Sequence, residues 1–594
     1  MTMRSRSVVR RPCDLSALAL FAVLGLVPGC GDDESAASPA PKPADYGPPE
    51  LDDDLPRPLA EGRAPTPPMG WNSWNSFGIE VTADDIKAAA EIIVSSGMKD
   101  AGYAYVNIDD GWGAPHANPD ANPPIPAERN DDGAPRTDAD FSDIAELADH
   151  VHGLGLKLGI YSDRGWETCG HRVGSQDHTE LDAQQYADWG VDYLKYDNCA
   201  ADENESVKQM QYGAMREALD ATGRDIVYSL CAWDFNEWGL DMGQLWRTTS
   251  DIIPTFAGDA SDPMGLEAEH TVLGIAKTNN GFAAYAGPNA WNDADMLEVG
   301  RFGSDAESRA HMSLWAIMAS PLIAGNDLSI MGDATREILT NAEVIAVDQD
   351  ALGIQGVIVK TVGDVAVWAK PLNESGARAV AIVNKGLDSS ASVTVNWTEI
   401  GLRGGDAAVR DLWQHADLGT TKDAFTVTVP SHDVVMLRVT GSEPSHPRKS
   451  VHLGDFPWIY AANGLGPVER NQANGASAAG DGKPLSIGGQ AFEKGLGVSA
   501  PAAVIFRLAR NCSRFTATVG MDDASGEGSV EFHVLGDGEV LWESGVMKKA
   551  DGAQSIDVNV EGIVRLKLLV TNAGDGPALD RASFGDPVVE CGPG

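Results

Sequence analysis

The stretch DYLKYDNC, Asp192 to Cys199, ends an apolar, β-prone run on an amine, a carboxylate and a thiol. Strands ordinarily stop at turn residues. An acid next to an amine is stabilised in its ionised form, the form a carboxylate nucleophile needs. Carboxylates recur at the last positions of five other candidate strands: Asp109 and Asp110, Asp163, Asp251, Asp293 and Asp295, and Asp327. Lys195 and Arg247 are interleaved with them, and Trp74, Trp112, Trp233, Trp246 and Trp291 lie close by in the sequence. Indole faces stack on the C–H faces of sugar rings, and carboxylates accept hydrogen bonds from hydroxyls. Two carboxyl groups are also what cleaves a glycosidic bond, one protonating the leaving oxygen while the other attacks the anomeric carbon or activates water. Asp197 and Asp251 are the candidate pair. Lys195 would keep Asp197 ionised, and Asp251 would need a pKa raised by burial or by its neighbour to hold a proton near neutral pH. A single Asp at a strand end is more often a helix cap or turn residue, so the weight rests on six strand ends agreeing. No H-E-x-x-H and no His/Cys ligand spacing is present, and no catalytic metal is expected.

These residues need elements that bring strand ends together. The candidate strands span 68–74, 103–110, 156–163, 192–197, 225–231, 246–252, 290–297 and 320–327, with amphipathic helices between most of them. DDIKAAAEIIVSSG, SDIAELADHVHGLG and VKQMQYGAMREALDATG each close on glycine, as helix C-termini favour. Eight such units without a Gly-rich nucleotide loop fit a (β/α)8 barrel, whose active site lies at the C-terminal ends of its strands. Asp197 and Asp251, two strands apart, would face each other there.

The chain has 594 residues, enough for about three domains at roughly 100–200 residues each. Residues 1–30 read as a targeting segment. A basic region (Arg4, Arg6, Arg10, Arg11) precedes an apolar run too short to span a bilayer comfortably, which ends in Val27-Pro28-Gly29-Cys30. That ending resembles a bacterial lipobox, with Cys30 the lipid-bearing residue. Pro28 is unusual there, so ordinary secretory cleavage stays open beside membrane anchoring as a lipoprotein. Residues 31–63, rich in Pro, Ala, Ser and Asp, read as a flexible linker. The barrel is expected over 64–355, an antiparallel β-sandwich over 356–440, a linker over 441–450 and a second β-sandwich over 451–594. With 87 Asp and Glu against 44 Lys and Arg, the chain repels phosphate backbones and nucleic acid is excluded as a partner. Outside the targeting segment five cysteines remain: Cys169, Cys199, Cys231, Cys512 and Cys591. Two local pairs and one leftover is the simplest account.

The motifs PPMGWNSWNSFG, NIDDGW, LGIYSDRGWETCG, ADWGVDYLKYDNC, WRTTSDI, GPNAWNDADMLEVG and LWAIMASPLIAGNDL resemble the α-galactosidase and α-N-acetylgalactosaminidase family of retaining glycoside hydrolases, family 27, melibiase-like. The resemblance runs from about Pro65 to about Thr440. It implies that Asp197 is the nucleophile and Asp251 the acid/base. It also implies that Asp109 and Asp110 hold the 4- and 6-hydroxyls, Lys195 bonds neighbouring hydroxyls, Arg247 sits near the 2-substituent and Trp74 stacks on the ring. Tyr161 and Asp295 match further pocket positions, and Cys169 and Cys199 match a family disulfide. Ala232 stands where α-galactosidases often carry a glutamate for the 2-hydroxyl, and would leave Arg247 without its acidic neighbour. N-acetylgalactosaminidases place a small residue there. Phe235 is bulky enough to refill the space. The implied function is a retaining exo-α-galactosidase acting on α-galactoside oligosaccharides, polysaccharides or glycoconjugates. The alternatives are an α-N-acetylgalactosaminidase or an inactive sugar-binding lipoprotein. Cys231 matches a cysteine paired in animal relatives, but its partner position is Gly243, which predicts a buried free thiol.

Residues 451–592 contain LGDFPWIYAANGLGPVERNQANG, GKPLSIGGQAFEKGLGVSAPAAVIFRL, VGMDDASGEGSVEFHVLGDGEVLWESGVM and LLVTNAGDGPALDRASF. They resemble the NPCBM carbohydrate-binding modules. This resemblance implies a Cys512–Cys591 disulfide and, as in some relatives, a structural calcium. Trp458, Asn463 and Glu469 are its candidate sugar contacts, Trp458 being equally a core residue. No cofactor for catalysis is implied.

Overall fold

The computed structural model describes residues 59–115, 129–258, 269–386, 389–475, 477–576 and 580–592. The targeting segment, Cys30 and most of the 31–63 linker lie outside the described residues.

Eight parallel strands form the first sheet: β1 Met69–Asn72, β2 Tyr105–Asn107, β3 Lys157–Asp163, β4 Tyr193–Asp197, β5 Val227–Leu230, β6 Leu245–Arg247, β7 Trp291–Asp293 and β8 Leu322–Ala324. They follow one another in sequence order around the sheet, with β8 beside β1. The remaining gap, between β7 and β8, is bridged beyond the end of β7. Leu297 N–H donates to the Ile323 carbonyl (2.7 Å), and its own carbonyl accepts from Gly325 N–H (2.9 Å). The crossing helices pack on the sheet through residues one turn apart, such as Ile86, Ala89, Ala90 and Ile93 of the helix Ala83–Ser95, the spacing of one helical face. Thr82 and Asp85 form a capping box at its start. Gly97, Gly155 and Gly223, the glycines at the ends of the three quoted helical segments, all adopt left-handed φ. The β5–β6 crossover is different: among the described residues it holds only a 3-10 turn, Glu237–Asp241.

The strands are shorter than the sequence pattern suggested, which leaves Asp109, Asp110, Asp251, Asp295 and Asp327 beyond the strand ends. β6 stops at Arg247, so Asp251 sits in the loop beyond it. β7 stops at Asp293, and Asp295 follows with φ +73. Asp327 does not join the converging acids, because its carboxylate caps the 3-10 turn Leu328–Ile330 by accepting from Ser329 N–H. Asp is a poor strand residue and a good cap, and that local preference prevails at these positions.

The second domain is a six-stranded antiparallel sheet, with Ala391–Asn396 and Ala424–Val429 paired separately and sharing its core. The C-terminal module has two six-stranded antiparallel sheets enclosing an apolar core that includes Leu496, Phe515, Phe532, Leu566 and Phe584, and a small hairpin of Ser486–Ile487 with Gln490–Ala491. Cys512 and Cys591 are bonded across neighbouring strands and close a span of 79 residues. The module is packed against the barrel and the second domain. Ile459, Tyr460, Ala462, Ala503 and Ile505 form one buried cluster with Ala283, Ala284 and Val357. The segment expected as a 441–450 linker is itself anchored, since Glu443 forms a buried ion pair with Arg378 (2.7 Å).

A disulfide closing so long a span limits the unfolded chain. Replacing Cys512 and Cys591 by alanine should lower stability by about 2–4 kcal/mol, seen as a lower urea midpoint for the C-terminal module. An unchanged midpoint would show that the bond adds no constraint.

Candidate active site

The last residue of β4, Asp197, is buried and surrounded by donors. The Tyr161 hydroxyl donates to Oδ2 (2.9 Å), Trp233 Nε1 to Oδ1 (2.9 Å) and Asn198 N–H to Oδ1 (2.9 Å). Each partner has its own structural origin. Tyr161 lies on β3, in register with Lys195 of β4, Asn198 is the next residue in the chain, and Trp233 comes from the segment after β5. Burial pushes the Asp197 carboxyl up, while the Lys195 charge and the hydrogen bonds to it pull the other way. Every oriented partner donates, an environment that suits the anion.

Lys195 does not pair directly with Asp197. Its ammonium donates to Asp109 Oδ2 (2.8 Å) and lies 5.2 Å from the centre of the Tyr161 ring. Asp109 is further held by Asn72 Nδ2 (2.7 Å), a contact the sequence reading missed. Asp110 is pinned by Thr168 Oγ1 (2.9 Å) and by the backbone N–H groups of Gly111 (2.8 Å) and Gly170 (2.6 Å). Burial raises its pKa to about 6 against that bonding. The Thr168–Gly170 turn contains Cys169, which is bonded to Cys199, so the loops after β3 and β4 are tied together. Asp163 completes that tie by accepting from Gly165 N–H and Cys199 N–H, both at 2.7 Å. Asp163, Cys169, Asp197 and Cys199 bring their ligand atoms within 4.8 Å of one another, but the bonded sulfurs offer no thiolate to a metal.

Asp251 occupies the opposite environment. Its side chain is 73% exposed, and its Oδ1 is 3.1 Å from Arg247 Nη2. The same guanidinium nitrogen meets Asp295 Oδ2 at 3.0 Å, and Asp295 Oδ2 also accepts from Ile252 N–H (2.8 Å). The left-handed backbone at Asp295 turns its carboxylate back onto the β6 loop, where it fixes both Arg247 and the residue after Asp251. The Arg247 charge holds the Asp251 carboxyl below the usual carboxylate range. Two expectations are therefore corrected. Asp251 does not have a raised pKa in this structure, because it is exposed and faces a cation. Arg247 is not left without acidic neighbours by Ala232, because Asp251 and Asp295 supply two.

Cys231 is free and buried, with Arg247 Nη1 at 3.8 Å from its sulfur. It lines a cavity of about 30 Å³ together with Asn72, Lys195, Arg247, Asp293 and Asp295, room for about one water. This cavity joins the Asp109–Lys195 group to the Arg247–Asp295 group, and Asp197 and Asp251 each sense charges of the other's set. Ala232 is buried, and its carbonyl accepts from Lys208 Nζ (2.9 Å). Phe235 commits its ring to stacks on Phe282 (4.3 Å) and Tyr285 (4.9 Å).

The tryptophans separate into two groups. Trp112, Trp246 and Trp291 are buried core residues, with their indole N–H groups bonded to Tyr161 O, Asn292 Oδ1 and Ala64 O. They do not line a sugar site. Trp74 is half-buried at the start of the helical turn after β1, and Trp233 is 40% exposed while touching Asp197. In the C-terminal module, Trp458 carries the Arg470 guanidinium on its ring at 3.5 Å, and Asn463 and Glu469 accept backbone N–H groups of Ser499 and Gly480. All three have structural partners. Among the module's described residues no three carboxylate, His or Cys side chains converge.

Residues 66–350 match the family described as "Alpha galactosidase A", residues 362–439 the "Alpha galactosidase C-terminal beta sandwich domain" and residues 449–590 the "NPCBM/NEW2 domain". Over 395 residues the chain is 43% identical to the α-galactosidase A of Cellvibrio japonicus, covering 64% of this chain and 93% of that protein. The chain belongs to the α-galactosidase A family. Among solved structures, α-galactosidase I of Mortierella vinacea is 35% identical with a TM-score of 0.59, covering 64% of this chain and 98% of that one. The Saccharomyces cerevisiae α-galactosidase solved with raffinose is 27% identical with a TM-score of 0.57, again over 64% and 98%. The C-terminal module lies beyond the domains this family member shares with those relatives.

The buried Asp110 gives a pH test. Its pKa rises on folding from 3.8 to about 6, so as pH rises the unfolded chain ionises first and this residue's contribution to stability falls across that window. The stability difference between Asp110→Asn and wild type should shift in the variant's favour from pH 4 to pH 6.5, measured by thermal melts. A difference that stays constant with pH would contradict the assignment.

Proposed function

We propose that this chain is a retaining exo-α-galactosidase in which Asp197 is the nucleophile and Asp251 the acid/base. One observation carries the reading: two carboxylates, one ending β4 and the other in the loop after β6, lie near enough for the charge of Asp251 to act on Asp197, one caged by donors and the other exposed beside an arginine. In the first step an Asp197 oxygen bonds to the anomeric carbon while Asp251 gives its proton to the glycosidic oxygen, and the aglycone leaves as an alcohol. In the second, Asp251 as carboxylate takes a proton from water, the water oxygen bonds to the anomeric carbon, and Asp197 is released with net retention. A sugar seated between the two would exclude water from Asp251, and the fixed charge on Asp197 would then raise its pKa. Once Asp197 is esterified that charge is gone, and Asp251 becomes a base.

Asp109 and Asp110 would accept the 4- and 6-hydroxyls, Lys195 would donate to neighbouring oxygens, Trp74 would stack on the ring, and Tyr161 would keep Asp197 aimed. The Asp295-anchored Arg247 would face the 2-substituent. The galactoside assignment is supported by the α-galactosidases named above and by the raffinose complex, raffinose ending in an α-linked galactose. Ala232 supports a second reading, in which a small residue makes room for the acetamide of an α-N-acetylgalactosaminide. Val27-Pro28-Gly29-Cys30 supports export with a lipid on Cys30, which would place the enzyme on a membrane surface.

Aryl glycosides decide between the readings. Wild type should release p-nitrophenol from the α-galactoside with a higher kcat/KM than from the α-N-acetylgalactosaminide. Asp197→Asn should abolish turnover, and Asp251→Ala should lose roughly 10²–10⁴-fold on substrates with poor leaving groups and less on activated ones. The reverse substrate preference would favour the second reading, and inertness of wild type on both glycosides would favour a sugar-binding protein.

A further inference from the structure

The β5–β6 segment is the barrel crossover with no described α-helix, and it carries the indole that reaches Asp197. Trp233 adopts φ +67, a left-handed backbone that bulky residues avoid. The residue is 40% exposed. The segment is held on both flanks. On the barrel side Lys208 Nζ donates to Ala232 O (2.9 Å) and Trp238 Nε1 to Glu205 Oε1 (2.6 Å). On the other side the holder is the C-terminal module. Glu237 accepts from the Gly574 backbone N–H and, with Asn572 turned to satisfy its neighbours, from the Asn572 side-chain nitrogen (3.0 Å). The Tyr285 hydroxyl donates to Glu237 Oε1 (3.1 Å) and accepts from Asn572 N–H (3.4 Å). Tyr285 and Asn572 are both buried, and Phe235, two residues after Trp233, stacks on Tyr285. The joint is therefore directional, buried at Tyr285 and Asn572 and open to solvent at Gly574.

We propose that the C-terminal module braces the active-site loop: Glu237 is a positioning residue that, through its bonds to Tyr285, Asn572 and Gly574, sets the Trp233 indole N–H on Asp197. The inference rests on the reading of Asp197 as nucleophile. It assigns the module a part in the barrel's chemistry that is independent of any sugar the module binds. Rotating the 233–237 segment would lengthen the Trp233–Asp197 bond and leave the carboxylate with one donor fewer, while the Tyr161 and Asn198 bonds persist.

The test uses the full chain with p-nitrophenyl α-galactoside as probe. Trp233→Phe removes the donor and keeps the ring, and should lower kcat/KM about tenfold, the order expected for a hydrogen bond to a charged group. Glu237→Ala and, from the module side, Asn572→Ala should each give a similar loss. Glu237→Gln keeps one acceptor oxygen, for the Tyr285 hydroxyl or for Gly574 N–H but not for both, and should give a loss smaller than that of Glu237→Ala. In the double variant Glu237→Ala/Trp233→Phe the losses should not multiply, because both act through one bond. Losses that multiply in the double variant, or an unchanged kcat/KM in Glu237→Ala, would overturn the brace. A Glu237→Ala variant that melts earlier with full kcat/KM would make the residue purely structural and also overturn it. Wild type inert on the aryl galactoside would instead remove the hydrolase reading and the proposal with it.

Discussion

A buried carboxylate is tolerated when its oxygens are met by donors, and the donors of Asp197 set the demands on the rest of the barrel. Tyr161 must lie one strand away in the right register, the chain must turn at Asn198, and a loop from β5 must deliver Trp233. The Cys169–Cys199 bond and the Asp163 contacts keep the β3 and β4 loops where these bonds can form. Lys195, placed on Asp109 rather than on Asp197, lends its charge to the site while leaving the Asp197 oxygens to neutral donors. The result is a carboxylate oriented before any substrate arrives, which in the proposed reaction would spare reorganisation.

Asp251 shows the opposite design. It is exposed, and its geometry is borrowed from Arg247 and Asp295. Asp295 acts on two residues at once, and its left-handed backbone makes that reach possible. An acid/base group must change protonation state twice per turnover, so in the proposed role a solvent-facing position beside a cation, with a charge across the site that would disappear on esterification, would let the Asp251 pKa move in both directions.

Much of this was legible in the sequence because period and punctuation encode it. Eight short strands, glycine-closed helices and the change to alternating runs after about residue 356 carry the architecture. Acids after apolar runs mark the strand ends. What escaped depends on backbone turns and on distant partners. Asp251 and Asp295 were read as strand-end residues, but the strands stop earlier and a positive φ redirects Asp295. Trp112, Trp246 and Trp291 resemble Trp74 and Trp233 in a linear reading, yet their side chains belong to the core. No local signal marks Glu237 as a contact to residues 572–574, more than 300 positions away. The C-terminal module also meets the barrel through Tyr460, whose hydroxyl donates to Gln355 O (2.8 Å), and Gln355 Oε1 accepts from Asn292 (2.8 Å), which in turn accepts from Trp246 (2.8 Å) beside Arg247. A carbohydrate-binding resemblance alone would suggest a tether, whereas the packing describes a shared scaffold.

The account stands on a covalent bond between one aspartate and the anomeric carbon. A galactosyl fluoride carrying a second fluorine at C5 slows hydrolysis of that intermediate enough to isolate it. Mass spectrometry of the digested protein should find one fluorogalactosyl group, on the peptide that contains Asp197. Its attachment to any other residue, or a protein that turns the reagent over with no adduct at all, would contradict the account.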